Sequence, residues 1–121
     1  MIEKEKAKPT FRKTFYLVNF QQNVLPLQGV IISQQVFLDG YIKEVKIHWP
    51  NGCNALVDVR ISHNTKQFCP EQGFLALNDA TPTYPFNEWL GQSENIRVEI
   101  RNADGGFAHN ISATITIEVE V

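Results

Sequence analysis

The chain has 121 residues, 43% of them hydrophobic and 20% charged, the size and balance of one globular domain that folds without staples. A formal charge of −2 and a pI near 5.9 argue against a general nucleic-acid binder, which needs a net basic face to neutralise phosphate. The longest apolar runs, Phe15 to Val18 and Phe74 to Leu77, are far short of the ~18 residues of a membrane span.

Charge is unevenly placed. Lys4, Lys6, Lys8, Arg12 and Lys13 face only Glu3 and Glu5 near the start, so the body is acidic. Residues 1–10 read as a flexible charged arm, and residues 11–121 as one β-sandwich domain. Met1 to Pro9 is polar and no apolar signal core follows, so the expected address is the cytoplasm, or a virion or similar particle assembled inside a cell.

Apolar residues alternate with a period of two almost throughout, and no segment keeps a helical period. From Phe11 to Phe20 both faces are apolar, which predicts a strand covered on both sides. Asn23 to Gln28, with Pro26, reads as an irregular link, and Gly29 to Val36 as a β-branched strand. Asp39-Gly40 signals a turn. Tyr41 to Trp49 predicts a half-buried strand with Tyr41, Val45, Ile47 and Trp49 on one face. Pro50-Asn51-Gly52 then predicts a tight hairpin into a strand from Ala55 to His63, whose inner row is Ala55, Val57, Val59 and Ile61. His63 to Gln72 reads as a polar connection and Gly73 to Asn78 as a short strand. Tyr84 to Leu90, broken by Pro85, reads as an edge strand. Ile96, Val98 and Ile100 make another inner row, Asn102 to Gly106 a turn, and His109 onward a last strand with Ile111, Ala113, Ile115, Ile117 and Val119 inside. The C-terminus is therefore expected to be paired in a sheet. The expected fold class is all-β: an antiparallel, jelly-roll-like β-sandwich of about eight strands. The sequence does not separate a jelly roll from other Greek-key sandwiches, although Trp49 precedes both cysteines, unlike the immunoglobulin Cys…Trp…Cys order.

Cys53 and Cys69 are expected to stay as free, buried thiols. A strand from Ala55 to His63 travels roughly 25–30 Å at strand rise, and the residues from Asn64 to Cys69 return only about 20 Å at full stretch.

The sequence carries no signature for a catalytic centre, a cofactor or a metal. His48, His63 and His109 form no H-x-H pair and have no mutual spacing of three or four. No G-x-S-x-G, P-loop or G-x-G-x-x-G occurs. Carboxylates on outer strand faces, such as Glu99, Glu118 and Glu120, read as solvated rows that discourage edge pairing. The expectation is thus no enzyme, no cofactor and no metal; a metal-dependent jelly-roll enzyme is the least favoured alternative. For a small ligand, the best platform is aromatic: Trp49 before a turn, and Tyr84 and Trp89 flanking Asn87 and Glu88, as carbohydrate- or receptor-binding sandwiches use.

Eight strands, a charged arm and surplus apolar residues at Phe11 to Phe20, Val24, Leu25, Leu27 and Val30 to Ile32 together resemble single jelly-roll virus and phage structural proteins. The resemblance covers Phe11 to Val121 as architecture alone. It implies a capsid, decoration or spike role, with homo-oligomers such as trimers or pentamers and contact with other particle proteins. It carries over no site residues. A self-assembling, non-enzymatic structural protein is the leading expectation and a glycan-binding module the second.

Overall fold

The computed structural model describes residues 13–120. The charged arm, Phe11 and the final Val121 lie outside the described residues. Eight strands follow in chain order: β1 (Lys13–Val24), β2 (Gly29–Val36), β3 (Gly40–His48), β4 (Val57–His63), β5 (Lys66–Cys69), β6 (Thr83–Leu90), β7 (Glu94–Asn102) and β8 (His109–Glu120). They form two four-stranded sheets, ordered β1-β8-β3-β6 and β2-β7-β4-β5, with every neighbouring pair antiparallel. Chain direction crosses between sheets at nearly every connection, which is the jelly-roll path of paired Greek keys. The alternation read from the sequence thus resolves into one particular sandwich.

The core lies between the sheets. β8 contributes Ile111, Ala113, Ile115, Ile117 and Val119, and β3 contributes Ile42, Val45 and Ile47. Val57, Val59 and Ile61 of β4 and Ile96, Val98 and Ile100 of β7 face them. All but Ala113 are β-branched, and such side chains suit a pleated surface covered on one side. Both cysteines are free and buried.

Four local expectations are corrected. The Asn51-Gly52 turn does not close a hairpin: β3 and β4 lie in different sheets. Gly52, Asn54 and Ala55 all have positive φ, and this winding segment carries the chain across the core. The tight hairpin is β4–β5, turned at Asn64 with φ 50°. Its second strand, Lys66–Cys69, fell inside a stretch read as polar because Phe68 and Cys69 are its only apolar residues. Gly73 to Asn78 is not a strand; Leu75 makes a single bridge to Val59. Finally, β1 is covered on one face only. Val18, Phe20 and Val24 are buried, whereas Phe15 and Leu17 face outward and are exposed.

The connections define two ends of the sandwich. At one end the β1–β2, β3–β4 and β7–β8 loops bond to one another, through Leu27 N to Asp104 O at 3.2 Å and Ala103 N to Leu56 O at 2.8 Å. At the other end the β2–β3, β4–β5 and β6–β7 turns meet, with Ser93 N donating to Val36 O and Asn64 N to Asn95 O, both at 2.8 Å.

Candidate interaction surfaces

The first end is an apolar tip built around one buried amide. Asn102 closes β7 and is almost fully buried. Its Nδ2 group donates to the carbonyls of Val24 (3.1 Å), Leu25 (3.3 Å) and Phe107 (3.0 Å). Its Oδ1 accepts from Asp104 N at 2.9 Å. One side chain thereby satisfies backbone groups of two loops that would otherwise be stranded. Asp104 continues the network: Oδ1 accepts from Gly106 N and Oδ2 meets His109 Nε2, both at 2.8 Å. The His109 contact, the Gly106 amide and the Phe107 amide hold the Asp104 carboxyl below its usual range.

From this hydrogen-bonded base Leu25, Leu27, Leu56 and Phe107 project into solvent, with Leu27 73% and Phe107 71% exposed. Leu27 sits at φ 60°, a left-handed conformation that costs a non-glycine residue about 1 kcal/mol or more. The fold holds large apolar groups outward on a fixed support.

The outer face of the β1-β8-β3-β6 sheet carries a second surface at the opposite end. Strand register aligns Phe15, Glu118, Tyr41 and Trp89 in one row across all four strands. Tyr41 and Trp89 meet edge to face, with ring centroids 5.1 Å apart at 67°. Beside them Lys43 Nζ donates to Asn87 Oδ1 at 2.7 Å, and Lys13 lies 3.8 Å from Glu118. The groove lined by these residues and Asp39 has a volume of about 640 Å³.

A β-bulge makes this groove. Pairing of β3 with both β6 and β8 shifts register between Ile42 and Glu44. Before the shift Ile42 points inward and Tyr41 outward; after it Val45 and Ile47 point inward. An uninterrupted period of two places Tyr41 in the inner row with Val45, and the extra residue reverses that.

Of the three aromatics expected to form a ligand platform, only Trp89 offers an open ring, being half exposed. Trp49 is fully buried and donates its indole N–H to Val57 O at 3.0 Å; it pins the β3–β4 crossing. Tyr84 is half-buried against the core, where burial and then the neighbouring Cys69 push its phenol up. Tyr41, which the sequence pattern hides, takes their place.

Chemistry-bearing groups elsewhere are engaged in the fold. His63 ends the inner row of β4 between two carboxylates, with Nε2 2.7 Å from Glu88 and Nδ1 2.5 Å from Glu94. Burial raises the Glu88 carboxyl, but contacts to Lys66 and His63 outweigh it and the net shift is down. Glu94 is likewise lowered against its own burial, by His63 and the Gly91 amide. Burial alone pushes the Cys69 thiol up to about 12, and burial followed by Asp104 raises Cys53. Both are protonated thiols rather than the thiolates a nucleophile requires. Among the described residues no His, Cys, Asp and Glu side chains converge as a metal-binding group.

No family model matches the chain, and no curated protein matches it. Solved structures do. Infectious bursal disease virus VP2, in a subviral particle, aligns with a TM-score of 0.51 at 14% identity over 89% of this chain and 33% of that one. The chain thus spans about a third of the VP2 length. FlhE aligns at 0.48 and 14% identity, over 87% of this chain and 96% of that one. The Yersinia pseudotuberculosis-derived mitogen aligns at 0.43 and 11%, over 84% and 86%. The VP2 match shows a shared fold.

Proposed function

We propose that this chain is a non-enzymatic jelly-roll building block that binds further copies of itself through the apolar tip, as one component of a larger particle. The observation that carries this reading is the outward set Leu25, Leu27, Leu56 and Phe107 on the Asn102-centred base. A fixed apolar surface is pre-organised for association, since little side-chain or loop freedom is left to lose on docking. The nearby carboxylate, Asp104, is already hydrogen-bonded to His109, which leaves the apolar side chains as the surface that a partner would cover. A second copy offers such a surface, and copies related by a closed rotation bring their tips around one axis. A trimer or a pentamer satisfies that geometry. The architecture is one that VP2 also uses in a subviral particle, which supports a particle role. The buried thiols and the paired histidines support a role without catalysis.

Sedimentation velocity tests the reading. The wild-type chain is expected to run as a discrete multiple of its 13.8 kDa monomer, and Phe107→Ser to shift it toward monomer. A wild-type monomer at high concentration overturns it.

A further inference from the structure

The groove at the other end of the sandwich has a different chemistry from the tip. We propose that it is a binding site for a neutral pyranose, the terminal or internal sugar of a short glycan, with Trp89 and Tyr41 as the platform. The proposal does not rest on self-assembly, because the two surfaces lie at opposite ends of β8: His109 leads from the tip and Glu118 reaches the groove.

Three features of the groove select the ligand. The first is aromatic surface left open to water. The edge-to-face contact of Tyr41 with Trp89 uses one ring edge and one ring face, and leaves other ring surface free. A pyranose presents one face of C–H groups that packs on such a surface while its hydroxyls stay polar. The second is a set of unspent hydrogen-bonding groups. Among the described residues, the Trp89 indole N–H, the Tyr41 hydroxyl and the Asp39 carboxylate have no protein hydrogen-bond partner, and the Asn87 amide is engaged only through its oxygen. A ring of hydroxyls, each both donor and acceptor, can meet donors and acceptors placed side by side. The third is charge. Two lysines, Lys13 and Lys43, stand against three carboxylates, Asp39, Glu118 and Glu120, around the groove; Lys13 pairs with Glu118, and Lys43 donates to the neutral Asn87 amide. A phosphate or an acidic sugar finds no net positive field there, whereas a neutral polyol needs none. The volume of about 640 Å³ falls within the roughly 300–1,000 Å³ of small-ligand clefts, with room for more than one sugar ring.

The strands beneath the groove are closely packed. Gly40 lies in its floor, where an added Cβ would stand 2.5 Å from Glu118 O and 2.7 Å from Val119 Cγ1. β3 and β8 therefore approach more closely than any side chain at this position permits. The bulge at Ile42/Glu44 then fixes Tyr41 and Lys43 on the outer face. A preformed platform keeps the entropy cost of binding low.

The two tryptophans make the test internally controlled. Protein labelled with 5-fluorotryptophan gives one fluorine resonance from Trp89 and one from Trp49, assigned by Trp89→Phe. The probes are maltose, cellobiose, lactose, mannobiose and diacetylchitobiose, each titrated through the millimolar range. The Trp89 resonance is expected to shift saturably with at least one disaccharide, while the Trp49 resonance, buried in the core, stays in place. Tyr41→Ala and Lys43→Ala are expected to weaken that binding by roughly tenfold with the Trp49 resonance unmoved, which shows that the fold is intact. A Trp89 resonance that no sugar moves overturns the proposal. So does a shift that Tyr41→Ala and Lys43→Ala both leave unchanged, or one that tracks protein concentration alone, which assigns the groove to contact between copies.

Discussion

His63 on β4 and Glu88 on β6 join the two sheets, with Nε2 and Oε2 2.7 Å apart. Glu94 holds the other ring nitrogen, and Lys66 reaches Glu88 at 2.7 Å from the solvent side. Because the folded state lowers both carboxyls, their contribution is present above the unfolded glutamate value of 4.5. It is lost as pH falls through the lower folded values. Melting temperature is therefore expected to fall on acidification below about pH 4.5, and Glu88→Gln to flatten that fall. At neutral pH Glu88→Gln is expected to cost about 1–2 kcal/mol, measured by urea unfolding, because the bond is charge-assisted but partly solvated.

Gly40→Ala is expected to destabilise the fold by about 1–3 kcal/mol, the usual cost of overpacking. The clash is with the Glu118 carbonyl and the Val119 side chain, so β8 must move. Thermal unfolding checks it, and an unchanged melting temperature means that β3 and β8 can separate without loss.

Asn102→Ala removes the amide that the carbonyls of Val24, Leu25 and Phe107 share. A loss of about 2 kcal/mol is expected, since buried carbonyls are left without donors. Hydrogen exchange is expected to rise at Asp104, whose amide bonds to Asn102 Oδ1, beyond the rise that the lower global stability brings to β4.

Neither cysteine is expected to react with an aromatic disulfide reagent at neutral pH while the protein is folded. Cys69 stays protonated up to about 12, and both side chains are buried. Both are expected to react fully in denaturant. Fast labelling of the native protein shows that the core opens locally.

The inner rows of β7 and β8, and that of β4 from Val57 onward, were legible because alternation of apolar residues marks a half-covered strand; Ala55, expected to open the β4 row, lies exposed at positive φ before the strand begins. Partner choice was not. Asn51-Gly52 has the chemistry of a hairpin turn, yet β3 is held by β8 and β6, a long-range pairing that no local signal encodes. β5 was hidden by its four-residue length. The groove was half visible: Trp89 stands out in the sequence, whereas Tyr41 joins it only because a bulge breaks the period of two. His63, Glu88 and Glu94 lie far apart in the chain and meet only where the sheets close on each other. The tip residues Leu25 and Leu27 were legible as surplus apolar groups; their fixed outward display depends on Asn102.

The most direct test of the central claim compares three proteins by light scattering after size exclusion: the wild-type chain, Leu27→Ser combined with Phe107→Ser, and Trp89→Ala. The account predicts a discrete closed oligomer for the wild type and for Trp89→Ala, and a monomer near 13.8 kDa for the tip variant. A wild-type monomer, or an oligomer that survives the tip substitutions, contradicts it.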